Sequence, residues 1–277
     1  GAFKRSLGLV DSTLIVSGSM IGSGIFIVTA DMSRNLGSAG WLLLTWIITG
    51  LITVTAALSY GELAGMMPKA GGQFVYIKRA YNSLLGFIYG WTVFTVIQSG
   101  TIAAVAVAFT KFTAVFIPAL NPENVLISLG SFSLSTASVF AMASIILLTY
   151  INSLGVETGK WIQNIFTSTK LLALLILIII GITFGSNSGV LKENFSQAWD
   201  AFKVSPDGSL IPISGYALLM AVGVSMIGSL FSSDAWNNVT FIAGEIKNPS
   251  RNIPLSLFLG TLIVTVIYIL CNIAYLS

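Results

Sequence analysis

The chain has 277 residues, of which 55% are hydrophobic and only 8% are charged, and its formal net charge is +3. Soluble domains carry about 25% charged residues, so this composition excludes a water-soluble globular protein and predicts one embedded in lipid. The small net charge gives no indication of a nucleic-acid partner. The absence of histidine removes the commonest general base and metal ligand, and a single cysteine, Cys271, excludes an internal disulfide.

Apolar segments of membrane-spanning length recur along the chain, since a spanning helix needs about 20 mostly apolar residues. Lysine and arginine, among them Lys4 and Arg5, are more frequent on one side of these segments, which predicts a cytoplasmic N-terminus. We expect no removable signal peptide at this end. Seven spans are predicted, at about 10–32, 39–61, 82–117, 132–153, 159–185, 212–244 and 252–276.

Glycines and serines interrupt the first predicted span at residues 18–26, and a similar run, residues 228–236, interrupts the sixth span. Two interrupted segments at matching places in two repeats are typical of a transporter, because residues freed from helical pairing offer bare N–H and C=O groups to a solute. The alternative is that these small residues only allow close helix packing. The candidate binding residues are Met20, Ile21, Gly22, Ser23, Gly24, Phe231, Ser232 and Asp234.

The two runs are expected to offer groups of opposite polarity. Ser23 and Gly24 precede a short helix whose N-terminal N–H groups and dipole favour a carboxylate. The carbonyls of Met20, Phe231 and Ser232 stand at the ends of half-helices and favour an ammonium group. Together these groups predict a receptor for a zwitterion. The Phe231 ring is either a gate over the bound molecule or a side chain that packs against lipid or core.

Two charged residues fall within predicted spans, where charge is costly and therefore informative. Lys170 either holds its ammonium against carbonyls of the first interrupted segment, near Gly18 and Ser19, or snorkels towards the inner interface. Within a membrane span, the Asp234 carboxylate must be paired with a cation, surrounded by hydrogen-bond donors, or protonated. Its alternative role is to cap a half-helix that begins near Ala235, and the two roles can coexist.

The longer polar connections carry weaker signals. In residues 60–80, Pro68 and the pair Gly71-Gly72 interrupt any helix, and this loop is either an interfacial anchor or part of an inner gate. Residues 186–211 are expected to form an external loop with at most a short surface helix. The sequence contains no phosphate loop, HExxH motif or paired cysteine motif, so we expect neither an enzymatic reaction nor a cofactor.

A set of motifs that runs through nearly the whole chain resembles a known family. The motifs are Gly22-Ser23-Gly24-Ile25-Phe26; Glu62-Leu63 with Pro68-Lys69-Ala70-Gly71-Gly72; Thr169-Lys170-Leu171-Leu172-Ala173-Leu174; Phe231 with Trp236-Asn237; and Gly244-Glu245, Asn248-Pro249 and Arg251-Asn252-Ile253-Pro254-Leu255. With them the sequence resembles the L-type amino acid transporter family of the amino acid–polyamine–organocation superfamily.

This resemblance implies an all-α membrane protein with the LeuT-like fold, in which two inverted repeats of five helices are usually followed by two more. A single domain, 1–277, would then hold a first repeat at about 10–185 and an incomplete second repeat at about 212–277, with helices 1 and 6 broken. Members of the family move amino acids without sodium, often by exchange. The resemblance also implies that Ser23 and Gly24 bind the carboxylate, that Phe231 is a gate, and that Lys170 fills the vacant sodium position.

The sequence departs from the family pattern in two respects. The chain ends after its seventh predicted span, so the fold is expected to be truncated. Animal members are tethered to a glycoprotein by a cysteine in the second external loop, whereas residues 118–131 contain none. We therefore expect a prokaryotic-type transporter with no disulfide-linked partner, whose partners are an amino acid substrate and the lipid bilayer of the cell membrane.

The expected function is sodium-independent, alternating-access exchange of neutral amino acids. One alternative from another class is a seven-helix sensor or receptor, since seven spans are visible. The other alternative is transport of cationic amino acids, which the acid at Asp234 would favour.

Overall fold

The computed structural model describes residues 5–129, 132–154, 156–185 and 189–277, and Lys4, used to predict the orientation, lies outside them. The described chain is predominantly helical. The α-helices are α1 Leu9–Met20, α2 Gly24–Leu36, α3 Ala39–Met66, α4 Gln73–Ala80, α5 Ser83–Thr92, α6 Ser99–Thr113, α7 Thr136–Ser153, α8 Val156–Gly185, α9 Val190–Ser196, α10 Gly215–Ser232 and α11 Pro249–Tyr275.

Six helices in the described part of the chain are long and apolar enough to cross a membrane, and α1 with α2 makes a seventh if that bent pair counts as one span. The axes of α1 and α2 differ in direction by 42°. This agrees with the predicted number of spans, because length and apolar composition are local properties that can be read directly from the residues.

The sixth predicted span does not continue as an α-helix to residue 244. Helix α10 ends at Ser232 and is followed by two 3-10 helices, Trp236–Thr240 and Ala243–Glu245. Ala235, between α10 and the first of these, has a φ of 67°, in the left-handed region that interrupts a right-handed helix. The expected second half-helix is therefore a pair of tight 3-10 turns.

Two short antiparallel hairpins were not predicted. Strands β1 Val125–Leu129 and β2 Phe132–Ser135 pair before α7, so the predicted span at 132–153 becomes helical only from Thr136. Strands β3 Phe202–Val204 and β4 Leu210–Pro212 pair after the short helix α9. These strands are too short to give a clear alternating pattern in the sequence.

The chain divides into two compact units, residues 1–73 with 163–277, and residues 74–162. In the first unit, α1, α2, α3, α10 and α11 pack around a core that includes Trp46 and Leu257. Glycine allows the close approaches: a Cβ at Gly61 would lie 3.2 Å from the Pro254 Cα. That residues 1–277 form a single transporter domain stays a prediction.

The second unit contains α5, α6 and α7. A π-helical segment, Val93–Gln98, joins α5 to α6. Helices α6 and α7 pack against each other, and the rings of Phe109 and Phe140 stack with centroids 5.8 Å apart. Ala106 on α6 and Ala141 on α7 are both buried.

Candidate functional site

The first interrupted segment separates α1 from α2 by three residues. Ile21 is extended, with φ −74° and ψ 103°, and it is buried. The backbone N–H groups of Gly22 and Ser23 donate no hydrogen bond to any described residue. Because these donors stand at the beginning of α2, they point to a position where the helix dipole favours negative charge.

The second interrupted segment begins where α10 ends. The backbone N–H of Ser233 donates to the Ser229 carbonyl at 3.0 Å, and that of Asp234 donates to the Phe231 carbonyl at 3.3 Å. Ala235 then turns the chain in the left-handed region. The C-terminal carbonyls of α10 therefore lie at the interruption, where the helix dipole favours positive charge.

The two segments lie against each other. A Cβ atom built on Gly24 would collide with the Ser232 side chain, at 2.8 Å from its Cβ. One turn further along, a Cβ on Gly228 would lie 2.7 Å from a methyl group of Val28. The structure thus brings together the two runs that the sequence identified about 210 positions apart.

Tyr268 on α11 joins the ends of α1 and α10, and sequence reasoning missed it. Its hydroxyl lies 3.1 Å from the carbonyls of both Met20 and Ser232. The side chain is 1% exposed, and its ring packs edge-on against Trp46 with centroids 5.4 Å apart. A phenol carries one proton, so the two carbonyls share a single donor. The available signal was a polar hydroxyl in an apolar helix, which requires a partner.

Lys170 on α8 reaches the same segment from another side. Its Nζ donates to the Ile21 carbonyl at 2.9 Å and lies 3.4 Å from the Gly18 carbonyl. The prediction named Gly18 and Ser19, so the second carbonyl is that of Ile21 instead. The ammonium lies at the extended turn of the chain, where carbonyls are released from helical pairing.

The carbonyls that we expected to receive a substrate ammonium already have donors. Those of Met20 and Ser232 accept from Tyr268, and that of Phe231 accepts from the Asp234 backbone. Each carbonyl has two lone pairs, so a second donor can still be accommodated.

The side chains of Phe231 and Asp234 are both exposed, Phe231 by 67%. The Asp234 carboxylate makes no hydrogen bond or ion pair with a described residue. It does not cap the following 3-10 helix, which is preceded by Ala235 and has no side-chain cap. An exposed, unpaired acid at the interruption is available to a solute.

The loop between α3 and α4 packs beside the second interruption. Tyr60 and Trp236 meet edge-to-face with centroids 5.0 Å apart, and the Gln73 amide donates to the Tyr60 hydroxyl at 2.9 Å. The Gly71 N–H donates to the Phe241 carbonyl at 3.3 Å. These contacts hold the loop against the residues that follow α10. The gate and the anchor interpretations of this loop both remain predictions.

The family model for amino acid permeases matches residues 7–277. The chain belongs to the amino acid permease family. Its sequence is 30% identical over 277 residues to the b(0,+)-type amino acid transporter 1 of Mus musculus, covering 100% of the chain and 52% of that relative. It is 32% identical over 278 residues to the large neutral amino acids transporter small subunit 2 of Homo sapiens, covering 100% of the chain and 48% of that relative.

These similarities confirm the resemblance to the L-type amino acid transporter family. This permease chain spans about half the length of the curated relatives it matches. The family membership and the apolar helices of membrane-spanning length together identify a multi-pass membrane protein.

Proposed function

We propose that this permease is a sodium-independent amino acid transporter that exchanges neutral amino acids by alternating access. The observation that carries the proposal is the contact between Gly24 and Ser232, which sets the free N–H groups at the start of α2 beside the carbonyl end of α10. A zwitterion needs both polarities within a few ångströms. The family membership supports the choice of an amino acid as the zwitterion.

In this proposal the fold is LeuT-like, with α1 and α2 as the broken first helix and α10 as the first half of the broken sixth. The carboxylate binds the N–H groups of Gly22, Ser23 and Gly24. The ammonium takes the free lone pairs of carbonyls at the ends of α1 and α10. The exposed ring of Phe231 closes over the substrate as a gate.

Lys170 takes the role of a coupling sodium ion. Its ammonium lies 2.9 Å from the Ile21 carbonyl, so a positive charge already stabilises the carbonyls released at the interruption. A second cation at this position would be repelled. Transport is therefore expected to proceed in the absence of sodium.

The direct test is uptake of labelled amino acids by liposomes that contain the full-length protein. Uptake should require an amino acid inside the liposome, because exchange couples the two directions, and it should be equal in sodium and choline buffers. Uptake that rises steeply with external sodium contradicts the role of Lys170. Failure to transport any amino acid contradicts the proposed function.

Transport of cationic amino acids is a second candidate function. It is favoured by the exposed carboxylate of Asp234, which has no partner among the described residues. Competition separates the two candidates: arginine and lysine should displace a bound neutral amino acid only if Asp234 faces the substrate side chain. If they fail to do so, and Asp234→Asn leaves neutral affinity intact, the cationic candidate is rejected.

We further propose that the protein resides in the cell membrane with a cytoplasmic N-terminus and works without a disulfide-linked partner. The name of the human relative describes a small subunit, but Cys271 is the only cysteine in this sequence and is buried. Activity of the protein reconstituted alone would support this proposal, and a requirement for a second chain would contradict it.

A further inference from the structure

Helix α2 buries one face, which is made of three apolar residues and a threonine. The buried residues are Ile25, Thr29, Met32 and Leu36, and their spacing of four, three and four positions places them on one side of the helix. Thr29 is 8% exposed, and the three apolar side chains are at most 1% exposed. The Thr29 hydroxyl requires a hydrogen-bond partner, because burying it without one is costly.

The Thr29 hydroxyl bonds to another helix. Its Oγ1 donates to the side-chain Oδ1 of Asn272 on α11 at 2.8 Å. Other buried threonines, such as Thr53 and Thr261, donate instead to the carbonyl four residues earlier in their own helix. For Thr29 that local acceptor is the Ile25 carbonyl. The bond to α11 is therefore imposed by tertiary packing and not by the helix itself.

Asn272 is held so that its acceptor faces Thr29. The side chain is 0% exposed, and its Nδ2 donates to the Tyr268 carbonyl one turn earlier at 2.7 Å. With the nitrogen bonded to a carbonyl, the amide oxygen faces the Thr29 hydroxyl, and this oxygen is the atom that accepts a hydrogen bond. The pair is thus a directional bond between two helices in the buried interior.

Helix α2 also packs closely against α10, through contacts that carry no direction. A Cβ on Gly24 would collide with Ser232, and a Cβ on Gly228 would lie 2.7 Å from a methyl group of Val28. Such contacts fix how near the helices approach, but apolar packing tolerates alternative arrangements of similar energy. A buried polar pair is satisfied in one arrangement, which is why a polar residue in the apolar seam of a coiled coil specifies register.

The orientation of α2 decides where the free N–H groups of Gly22 and Ser23, directly before it, point. Thr29 lies five residues beyond Gly24, about 7.5 Å along the helix axis. A slip of α2 by one residue would turn it by about 100° and shift it by about 1.5 Å. Hydrogen-bond distances span only about 0.5 Å, so this slip would remove the N–H groups from a bound carboxylate.

We propose that Thr29 and Asn272 are positioning residues for the substrate carboxylate. Their hydrogen bond fixes the rotation and height of α2, and thereby the direction of the N–H groups of Gly22 and Ser23. This inference rests on the proposed function. In this role neither side chain contacts the substrate, so loss of the bond weakens substrate binding while the fold stays in place.

Two apolar substitutions separate positioning from stability. Thr29→Val alone leaves the buried Asn272 oxygen without its donor and should lower the melting temperature. Thr29→Val with Asn272→Leu, the double variant, removes both polar groups, and its melting temperature should return close to that of the unsubstituted protein. For exchange by the full-length protein in liposomes, KM should rise about fivefold in both variants, whereas kcat should change less than about twofold.

The double variant decides between a positioning role and a purely structural one. Recovery of both the melting temperature and KM would overturn the proposal, because the bond would then only stabilise the fold. A double variant that does not fold would overturn it as well, because a bond on which folding depends is a structural one.

Two further variants serve as the rescue and the matched control. Thr29→Ser keeps the hydroxyl, so its KM should stay within about twofold of the unsubstituted value. Thr261→Val removes a buried α11 hydroxyl that donates to the Leu257 carbonyl of its own helix, and its KM should be unchanged. A KM raised as much by either substitution as by Thr29→Val would overturn the proposal.

Cysteine labelling examines the orientation of α2 independently of transport. Ile25 is 0% exposed, whereas Phe26, the next residue, is 50% exposed. In a Cys271→Ala background, Ile25→Cys should react with N-ethylmaleimide several times faster when the double variant's substitutions are present, because α2 then no longer holds one orientation. Phe26→Cys is the matched control and should react at similar rates with and without them.

Equal rates for Ile25→Cys would overturn the fixed orientation of α2. The labelling also keeps this inference separate from the proposed function. If the unsubstituted protein transports no amino acid, that result counts against the proposed function alone, and the labelling rates still decide whether Thr29 and Asn272 orient α2.

Discussion

The two interrupted segments differ in how the chain continues beyond them. After the first, it resumes as the α-helix Gly24–Leu36 and presents free N–H groups at its start. After the second, Ala235 is left-handed and only 3-10 turns come next. A regular α-helix concentrates positive potential at its N-terminus, so the first segment suits an anion, whereas the second offers mainly helix C-terminal carbonyls.

The segments also differ in their charged neighbours. A lysine, Lys170, donates to the first segment, whereas the second carries the acid Asp234. The two interrupted segments are therefore not equivalent parts of the candidate site, although their sequences are similar. Variants that alter one segment, or the link between the two, test this difference.

The largest effect is expected from Gly24→Leu. The new side chain would collide with Ser232 and push the two segments apart, and overpacking of this kind costs roughly 1–3 kcal/mol of stability. Binding of labelled amino acid should be lost, and the melting temperature should fall. Gly22→Ala is the control, since its Cβ would meet no atom within 4 Å. Equal damage by both variants would contradict the contact between segments.

Lys170→Ala removes the positive charge from the first segment only. We expect exchange to fall by about tenfold or its inward and outward affinities to become more unequal, since a charge-assisted hydrogen bond of about 1.5–3 kcal/mol is lost. Kinetics of exchange measured from both sides of the membrane would detect this change. Lys203→Ala, at the exposed central position of β3, is the matched control. Unchanged kinetics would favour a lysine that merely snorkels.

Tyr268→Phe removes the hydroxyl that links both segments and leaves the buried ring in place. Loss of this hydroxyl should lower the free energy of unfolding by about 1–2 kcal/mol, because the Met20 and Ser232 carbonyls lose their shared donor. Thermal unfolding of the purified protein measures the effect. Tyr275→Phe on the same helix provides the comparison, because its hydroxyl makes no hydrogen bond with a described residue. Identical melting temperatures for the two variants would refute the linking role.

The smallest effect is expected from Asp234→Asn in the second segment. The carboxylate is exposed and unpaired among the described residues, so its neutralisation should change stability by less than about 0.5 kcal/mol. Affinity for a neutral amino acid should stay within about twofold in a binding assay. A large loss of neutral affinity would show that Asp234 acts on the substrate backbone rather than on its side chain.

The spans and the two interrupted segments could be predicted from the sequence because both signals are local. Stretches of about 20 apolar residues are visible directly, and the run from Gly18 to Gly24 breaks one of them with small residues. The left-handed turn at Ala235 could not be predicted, since alanine is the best helix former. The hairpins were missed because their strands have only three to five residues each.

The sequence by itself determined that this is a helical membrane protein, which segments span, and where two of them are interrupted. Only the tertiary structure decided which groups meet there: Tyr268 reaches the Met20 carbonyl across 248 positions and the Ser232 carbonyl across 36, and Leu7 pairs with Ile246. The physical reason is that apolarity and helix breaking are properties of neighbouring residues. A hydrogen bond between distant residues depends instead on how whole helices pack, which no local pattern encodes.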